Sequence, residues 1–474
     1  MSNGIAALPR ANEGMQQKSA LIFIFFVVCA FAYAIVKDSF MSRLFFVATV
    51  FGGGMIFLIN GLFNRKVLTY FLVAYIPFSK QMHVGFGNII PGLNLTNILV
   101  VLLAFLWISE RNKKEGPLLA STPLNTPIFV FVSLGILSII LNIGYGFGYL
   151  TEAALEYYTR WIVPFFLYFY FVNVIRDKET IKNIVTIIVL VTTMAALMAI
   201  YEYLETDKRV GGIVDQPNFL AAFFNYYMFI PFAFFVVHMK RFSYWLLLIP
   251  FLIQLRGIMV TFSRASYLAF AVSLYALACF KSRLFLFLMI AGTVLVILNP
   301  AFLPEGIRYR MAQTFQKHHA NAEVTEVNTG SLDDSASERL KVWEGATAMI
   351  KEHPLLGVGF HLFEVKVLHY WAGSKSHDTH NTYLSIASEM GIPALIVFFW
   401  ILWRFFCAAW RFYKKTQDPF SKSLTLGILS GLFGLLISNM YGCRFNYPEI
   451  SIYFWILAAS IVKLEMLEGA SAHE

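Results

Sequence analysis

Seven of the ten histidines fall between residues 318 and 380: His318, His319, His353, His361, His369, His377 and His380. Histidine exchanges a proton near neutral pH and is the commonest metal ligand. The spacing His377-x-x-His380, with Asp378 between, offers part of a zinc site. The cysteine and glutamate ligands and the closed spacing of zinc motifs are missing, so no metal is expected. A long polar segment collects histidines without using them, and that is the expectation for most of the seven. His380 differs in its surroundings. In "HDTHNTYLSIASEMGIPALIVFFW" it stands beside Asn381, just ahead of an apolar helix that begins before Glu389. A proton acceptor there sits at the mouth of a helix bundle.

Five arginines have unusual settings. Arg160 follows "EYYT" and enters an apolar run. Arg209 lies in "DKRVGGIVDQPNFL" with Asp215 and Asn218, Arg264 in "TFSRASYL", and Arg339 in "SERLKVW". Arg256 is deeper, within "LIQLRGIMV". A lone arginine at a helix end snorkels without consequence. An ionisable group inside a span is costly and by default faces a polar cavity. The guanidinium fork matches phosphate oxygens, so several arginines on one face beside a histidine describe an anion site next to a general base.

The elements that carry these residues are set by composition. The chain has 474 residues, 58% hydrophobic and 14% charged, with 48 Phe and 23 Tyr, and a mean hydropathy of +0.64. A soluble domain is roughly 25% charged, and this surplus cannot be hidden inside a water-soluble globule. A soluble enzyme, a disordered chain and a nucleic-acid module are excluded. Four cysteines exclude a disulfide scaffold. The expected fold is an all-α polytopic membrane bundle of about 12–14 spans with one large outer loop containing short helices. Candidate spans lie near 20–36, 44–63, 67–79, 95–109, 126–143, 157–175, 181–200, 218–237, 243–262, 265–280, 284–299, 389–410, 423–440 and 448–464. The first follows a polar lead of 19 residues and has no small-residue cleavage site, so it is not expected to be a signal peptide. Three regions follow: 1–299 as an N-terminal bundle of about eleven spans, 300–388 as the outer loop, and 389–474 as C-terminal helices and tail.

Orientation comes from the basic loops. Arg65/Lys66, Arg111/Lys113/Lys114, Arg176/Lys178/Lys182, Lys240/Arg241, Lys281/Arg283 and Arg411/Lys414/Lys415/Lys422 alternate along the chain. All fall on the cytoplasmic side if both termini are cytoplasmic. The net charge of +9 is then largely a topology signal, and no nucleic-acid partner is expected. Within 300–388 a helix is expected over 337–351 with Ser337 as its N-cap, and Pro354 with the two glycines of "HPLLGVGF" reads as a helix stop and turn.

Four segments taken together resemble the O-antigen ligase and polysaccharide polymerase superfamily of bacterial envelope glycosyltransferases. They are "RVGGIVDQPNFLA" (209–221), "TFSRASYLA" (261–269), "SERLKVWEGATAMIKEHPLLGVGFHLF" (337–363) and "HDTHNTYLSIASEMGIPAL" (377–395). The resemblance covers roughly residues 150–440. It implies a multi-span inner-membrane enzyme with a periplasmic active site, no cofactor, and an undecaprenyl-diphosphate-linked glycan as donor. The acceptor would be a growing glycan or lipid A-core, with membrane lipids around the enzyme and a polysaccharide chain-length regulator as a candidate partner. Carried onto this chain, His380 is the general base, and Arg264 and Arg209 stabilise the diphosphate leaving group. Arg160, Arg339, Asp215, Asn218, Asn381 and Glu389 are the expected donor and sugar contacts. Attack by the acceptor hydroxyl on the anomeric carbon inverts its configuration. Tyr157, Tyr158, Trp371 and Tyr383 would stack on sugars only if they are not interface or packing residues. Span number and outer-loop length lean toward a polymerase over a ligase, while "DQPN" is reminiscent of a protein-glycosylating branch. A lipid-linked sugar flippase is the rival of another class, against which stands the absence of paired repeats.

The topology is directly testable. A reporter fused at Asn321 should be exterior, and reporters at Lys178 and Lys414 cytoplasmic. A cytoplasmic Asn321 fusion would strand His380 and Arg264 on the wrong side.

Overall fold

The computed structural model describes residues 65–80, 94–111, 119–302, 308, 334–370 and 378–471. Among them the regular structure is entirely helical. Seven helices are long and apolar enough to cross a membrane: Asn125–Tyr145, Lys178–Thr206, Pro217–Val237, Phe242–Val260, Thr382–Lys415, Pro419–Met440 and Pro448–Ala470. Shorter apolar helices cover Leu95–Ser109 and Arg283–Leu298. Helices also cover Arg65–Tyr75, Val163–Val174 and Arg264–Lys281, so the chain folds as a polytopic helical membrane bundle. The runs expected at 20–36 and 44–63 lie outside the described residues.

Helix ends follow local chemistry. Asp177 and Asp418 accept backbone N–H bonds from Thr180 and Ser421 at the starts of their helices, and Gln216 does the same for Phe219 with Pro217 at the first position. The helix expected over 337–351 is present within Asp334–Glu352. Ser337 therefore lies within it and is not its cap.

The helices pack closely where side chains are small. On Pro419–Met440, a Cβ at Gly431 would sit 2.4 Å from the Tyr226 carbonyl oxygen, and one at Gly434 2.0 Å from Ser273 Oγ. These glycines let two neighbouring helices approach backbone to backbone, the usual means of association where lipid removes the hydrophobic drive. Buried aromatics fill the centre. Phe445, fully buried in a short outer connection, packs its ring 5.5 Å from Phe398 and 5.3 Å from Phe454.

The Thr382–Lys415 helix is broken near its start. Gly391 has φ +86°, and Pro393 cannot donate to the Glu389 carbonyl. The freed groups are met by the "HPLLGVGF" segment. Val358 N–H donates to the Ser388 carbonyl (2.8 Å), Gly359 N–H to the Glu389 carbonyl (3.1 Å), and Ile392 N–H to the Pro354 carbonyl (2.8 Å). Ser138 Oγ, from the Asn125–Ile140 helix, also donates to the Glu389 carbonyl (2.7 Å). Gly357 has φ +70°, and a Cβ there would meet the Glu389 carbonyl carbon at 2.3 Å. Above this junction a small second core of Val342, Ala346, Met349, Val358, Leu362, Phe363 and Val367 joins the Asp334–Glu352 and Phe363–Tyr370 helices.

Gly391→Ala should therefore be strongly destabilising, by more than ~2 kcal/mol, because the new Cβ would sit 2.2 Å from the Leu355 carbonyl oxygen in a left-handed conformation. Thermal unfolding in detergent measures it. An unchanged melting temperature would show that the junction does not hold the two layers together.

Candidate active site

Polar contacts divide between the two ends of the bundle. At one end, Lys66 pairs with Asp177 (3.1 Å), Lys178 pairs with Asp418, and Thr416 Oγ1 donates to Glu468. These belong to the loops expected to be cytoplasmic. The segments expected to be exterior meet at the other end, around a cavity of about 270 Å³ lined by Glu156, Arg160, His361, Phe363, Glu364, Asp378, Thr379, Ser385, Glu389, Asn446 and Tyr447.

Arg160 enters this cavity from a distorted helix. Residues Tyr158–Ile162 form a π-helical segment, with Val163 N–H donating to the Tyr158 carbonyl. Pro164 supplies no N–H to the Arg160 carbonyl four residues earlier, which favours the extra residue in the turn. The guanidinium pairs with Glu156 and lies 5.8 Å from the centre of the Phe360 ring. Glu389 is 5% exposed. Its Oε1 accepts from Phe363 N–H (3.4 Å) and its Oε2 from Ser385 Oγ (3.3 Å), so the helix break aims this carboxylate into the cavity.

His380 sits at the rim in a left-handed conformation, φ 50°. Asp378 holds it there. Oδ1 accepts the His380 backbone N–H (3.2 Å), and Oδ2 lies 3.6 Å from His380 Nδ1. Asp378 also accepts from Cys443 Sγ (2.9 Å). Burial alone would raise the Asp378 carboxyl, but the contacts with His380 and Cys443 outweigh it and bring it down to about 2. Asn381 is 8% exposed, and its side-chain oxygen accepts from the N–H groups of Tyr383 and Leu384. It is the cap of the helix that carries Glu389.

Arg209 and Arg264 come together through one turn. Arg209 is exposed; its Nε donates to the Thr261 carbonyl (2.7 Å) and its Nη2 to Asn218 Oδ1 (2.7 Å). Arg264 is half-buried and opens its helix three residues after Thr261. Asp215, with φ 53°, points outward and pairs with Lys80 at 3.5 Å. Phe219, next in sequence to the Arg209-bound Asn218, has its ring centre 3.5 Å from that of the cavity residue Tyr447. Arg339 lies one turn before Trp343 on the same helix face, and Trp343 Nε1 donates to the Thr379 carbonyl (3.0 Å).

Several expected residues lie elsewhere. Arg256 is exposed, 5.6 Å from the centre of the Tyr203 ring, and does not line the cavity. Tyr157 is buried and donates to backbone carbonyls of the Asn125–Ile140 helix, and Tyr383 donates to the Leu436 carbonyl, so both serve packing. His353 and His369 are exposed, whereas His361 lines the cavity. His318, His319, His377 and Trp371 lie outside the described residues. Among the described residues no three His, Cys, Asp or Glu side chains group as metal ligands.

Sequence reasoning passed over Asp378 as a partner of His380, and also Lys80 and Arg444. Arg444 is 2% exposed, its guanidinium 4.3 Å from the centre of the Phe219 ring and its Nη2 donating to the Tyr441 carbonyl (3.1 Å). Burial lowers it to about 10, with Cys443 opposing and Arg339 reinforcing the shift, so it stays charged at neutral pH. The signal was available: Arg444 and Lys80 are isolated cations in outer segments otherwise poor in charge.

Fold and site together define a multi-pass membrane protein with a charged chamber at one end of its bundle. Residues 249–399, less than half of the chain, match the family model described as O-Antigen ligase, in line with the resemblance to O-antigen ligases and polymerases. The match contains Arg264, Arg339, His380, Asn381 and Glu389, while Arg160, Arg209, Asp215 and Asn218 precede it. No curated protein matches the chain.

Asp378→Asn should lower activity ~10- to 100-fold by releasing the histidine from its orientation. Because the carboxyl is held below its ordinary 3.8 in the folded protein, its stabilisation is present above that value and lost as pH falls through about 2. The variant should flatten the fall of melting temperature across that acid window. Equal activity and an unchanged acid profile would remove Asp378 from the site.

Proposed function

We propose that the protein is a membrane glycosyltransferase that moves glycan from an undecaprenyl-diphosphate-linked donor to a sugar hydroxyl at the periplasmic face. The observation that supports this reading is the Asp378-bound His380 beside the polar cavity lined by Arg160 and Glu389, inside or next to the O-antigen ligase match. His380 takes the proton from the acceptor hydroxyl as that oxygen attacks the anomeric carbon. The C–O bond to the diphosphate breaks on the opposite face, and inversion follows. Arg264 and Arg209 receive the charge that develops on the leaving phosphate, the contribution that is usually largest in such reactions. Arg160 and Glu389 orient sugar in the cavity, and Arg339 adds to the cationic side. Asn218 and Asn381 act by holding Arg209 and the His380 helix in place, while Asp215 sits at the entrance with Lys80. No metal takes part in these steps.

Within the superfamily the reading leans to a polymerase of O-antigen or exopolysaccharide repeat units, with residues 300–388 as a periplasmic loop against the inner membrane and both termini cytoplasmic. Ligation to lipid A-core is the alternative. The genes beside this one discriminate: a flippase and chain-length regulator accompany a polymerase, and lipid A-core genes a ligase.

Purified protein in detergent, given lipid-linked donor and acceptor, should release undecaprenyl diphosphate without an energy source and regardless of chelators. His380→Ala should reduce release ~100-fold or more with donor binding retained. Arg264→Ala and Arg209→Ala should be close to inactive, each losing ~2–4 kcal/mol of leaving-group stabilisation, and the Lys variants should recover only part because the bidentate fork is lost. Movement of lipid-linked sugar across vesicles with no released diphosphate would make the protein a flippase instead.

A further inference from the structure

A second cavity, also about 270 Å³, lies on the far side of Asn446 and Tyr447, which line both. Its other walls include Ser79, Lys80, Asn97, Thr159 and Glu449, with Val163 and Ile452 as apolar floor. Glu449 is 3% exposed; Ser79 hydrogen-bonds to its carboxyl group, and of its two oxygens Oε2 is buried without a hydrogen-bond partner. A buried carboxylate oxygen left unmatched costs free energy, so its natural complement is a ligand that donates to it. A diphosphate would be repelled by it, and an isoprenyl chain would leave it unsatisfied. A saccharide supplies what the walls lack: hydroxyl donors for the carboxylate and amides, and C–H faces for the apolar floor.

Position indicates which saccharide. Lys80 donates to the Val214 carbonyl (3.1 Å) and pairs with Asp215, so this cavity opens beside the 209–218 loop that bears Arg209. Asp378, which holds His380, lines the other cavity. We infer that the Glu449 cavity binds an uncharged saccharide unit of the lipid-linked donor, leaving the cavity beside His380 to the acceptor. This rests on the transfer reaction proposed above. Tyr447 and Asn446 then stand between the two sugars, where the bond is made.

The test uses full-length protein in nanodiscs, with lipid-linked oligosaccharide from the host membranes as donor. Its saccharide, freed by mild acid, is the binding probe. Glu449→Gln should raise the donor KM about 10-fold or more, with kcat and acceptor KM changed less than about threefold. In a second measurement, Ser79→Cys should react with a water-soluble thiol reagent and be protected by the freed saccharide, with protection lost when Glu449→Gln is added. A raised acceptor KM would reverse the assignment and overturn it, as would an unchanged donor KM or absence of protection. If the unsubstituted protein transfers no glycan, it is the proposed reaction that fails, and protection of Ser79→Cys still reports on the cavity.

Discussion

The break in the Thr382–Lys415 helix at Gly391 and Pro393 is the interaction on which the rest of the site depends. A break inside an apolar helix leaves backbone groups that lipid cannot satisfy, and each would cost several kcal/mol. Here the 353–360 segment and Ser138 take up those groups. The same bonds fasten the outer helices to the bundle, because Val358 and Phe363 of the outer core sit immediately beside the backbone that pairs with Ser388 and Glu389. A single local defect thus docks the outer layer and turns the Glu389 carboxylate toward the cavity.

A second constraint comes from the short connection 441–447. Phe445 fixes it by burying its ring among Phe398, Phe454 and Trp161. Its neighbours are then placed without freedom: Cys443 against Asp378, Arg444 over Phe219, and Asn446 and Tyr447 between the two cavities. Aromatic packing in the core therefore sets polar geometry at the rim. The ion pairs contribute little to holding the fold, as expected where desolvation offsets pairing.

Much of this was legible in the sequence because membrane spans follow from hydropathy, and the expected spans within the described residues are helical. The setting of His380 at a helix start, and of Arg264 at a turn between spans, could be read from the apolar runs beside them. Pairings between distant segments could not. Nothing in the order of residues brings Cys443 to Asp378, Lys80 to Asp215 or Phe219 to Arg444, since each depends on which helices are neighbours. The capping role of Asn381 was not read, because in sequence an amide beside a histidine suits a ligand contact and a cap equally.

Arg209 spends two of its donors on protein groups, the Thr261 carbonyl and Asn218. Those bonds strap the 209–218 loop to the turn that leads into Arg264. An anion that drew on the same guanidinium would compete with the strap, so occupancy and the closure of these two loops form a single linked equilibrium. Tightening the strap weakens retention of the anion, and a bound anion loosens the strap to the same extent. In the reaction proposed above, the group that straps the loops and the group that would hold the anion are then one residue, and departure of the anion favours the strapped arrangement.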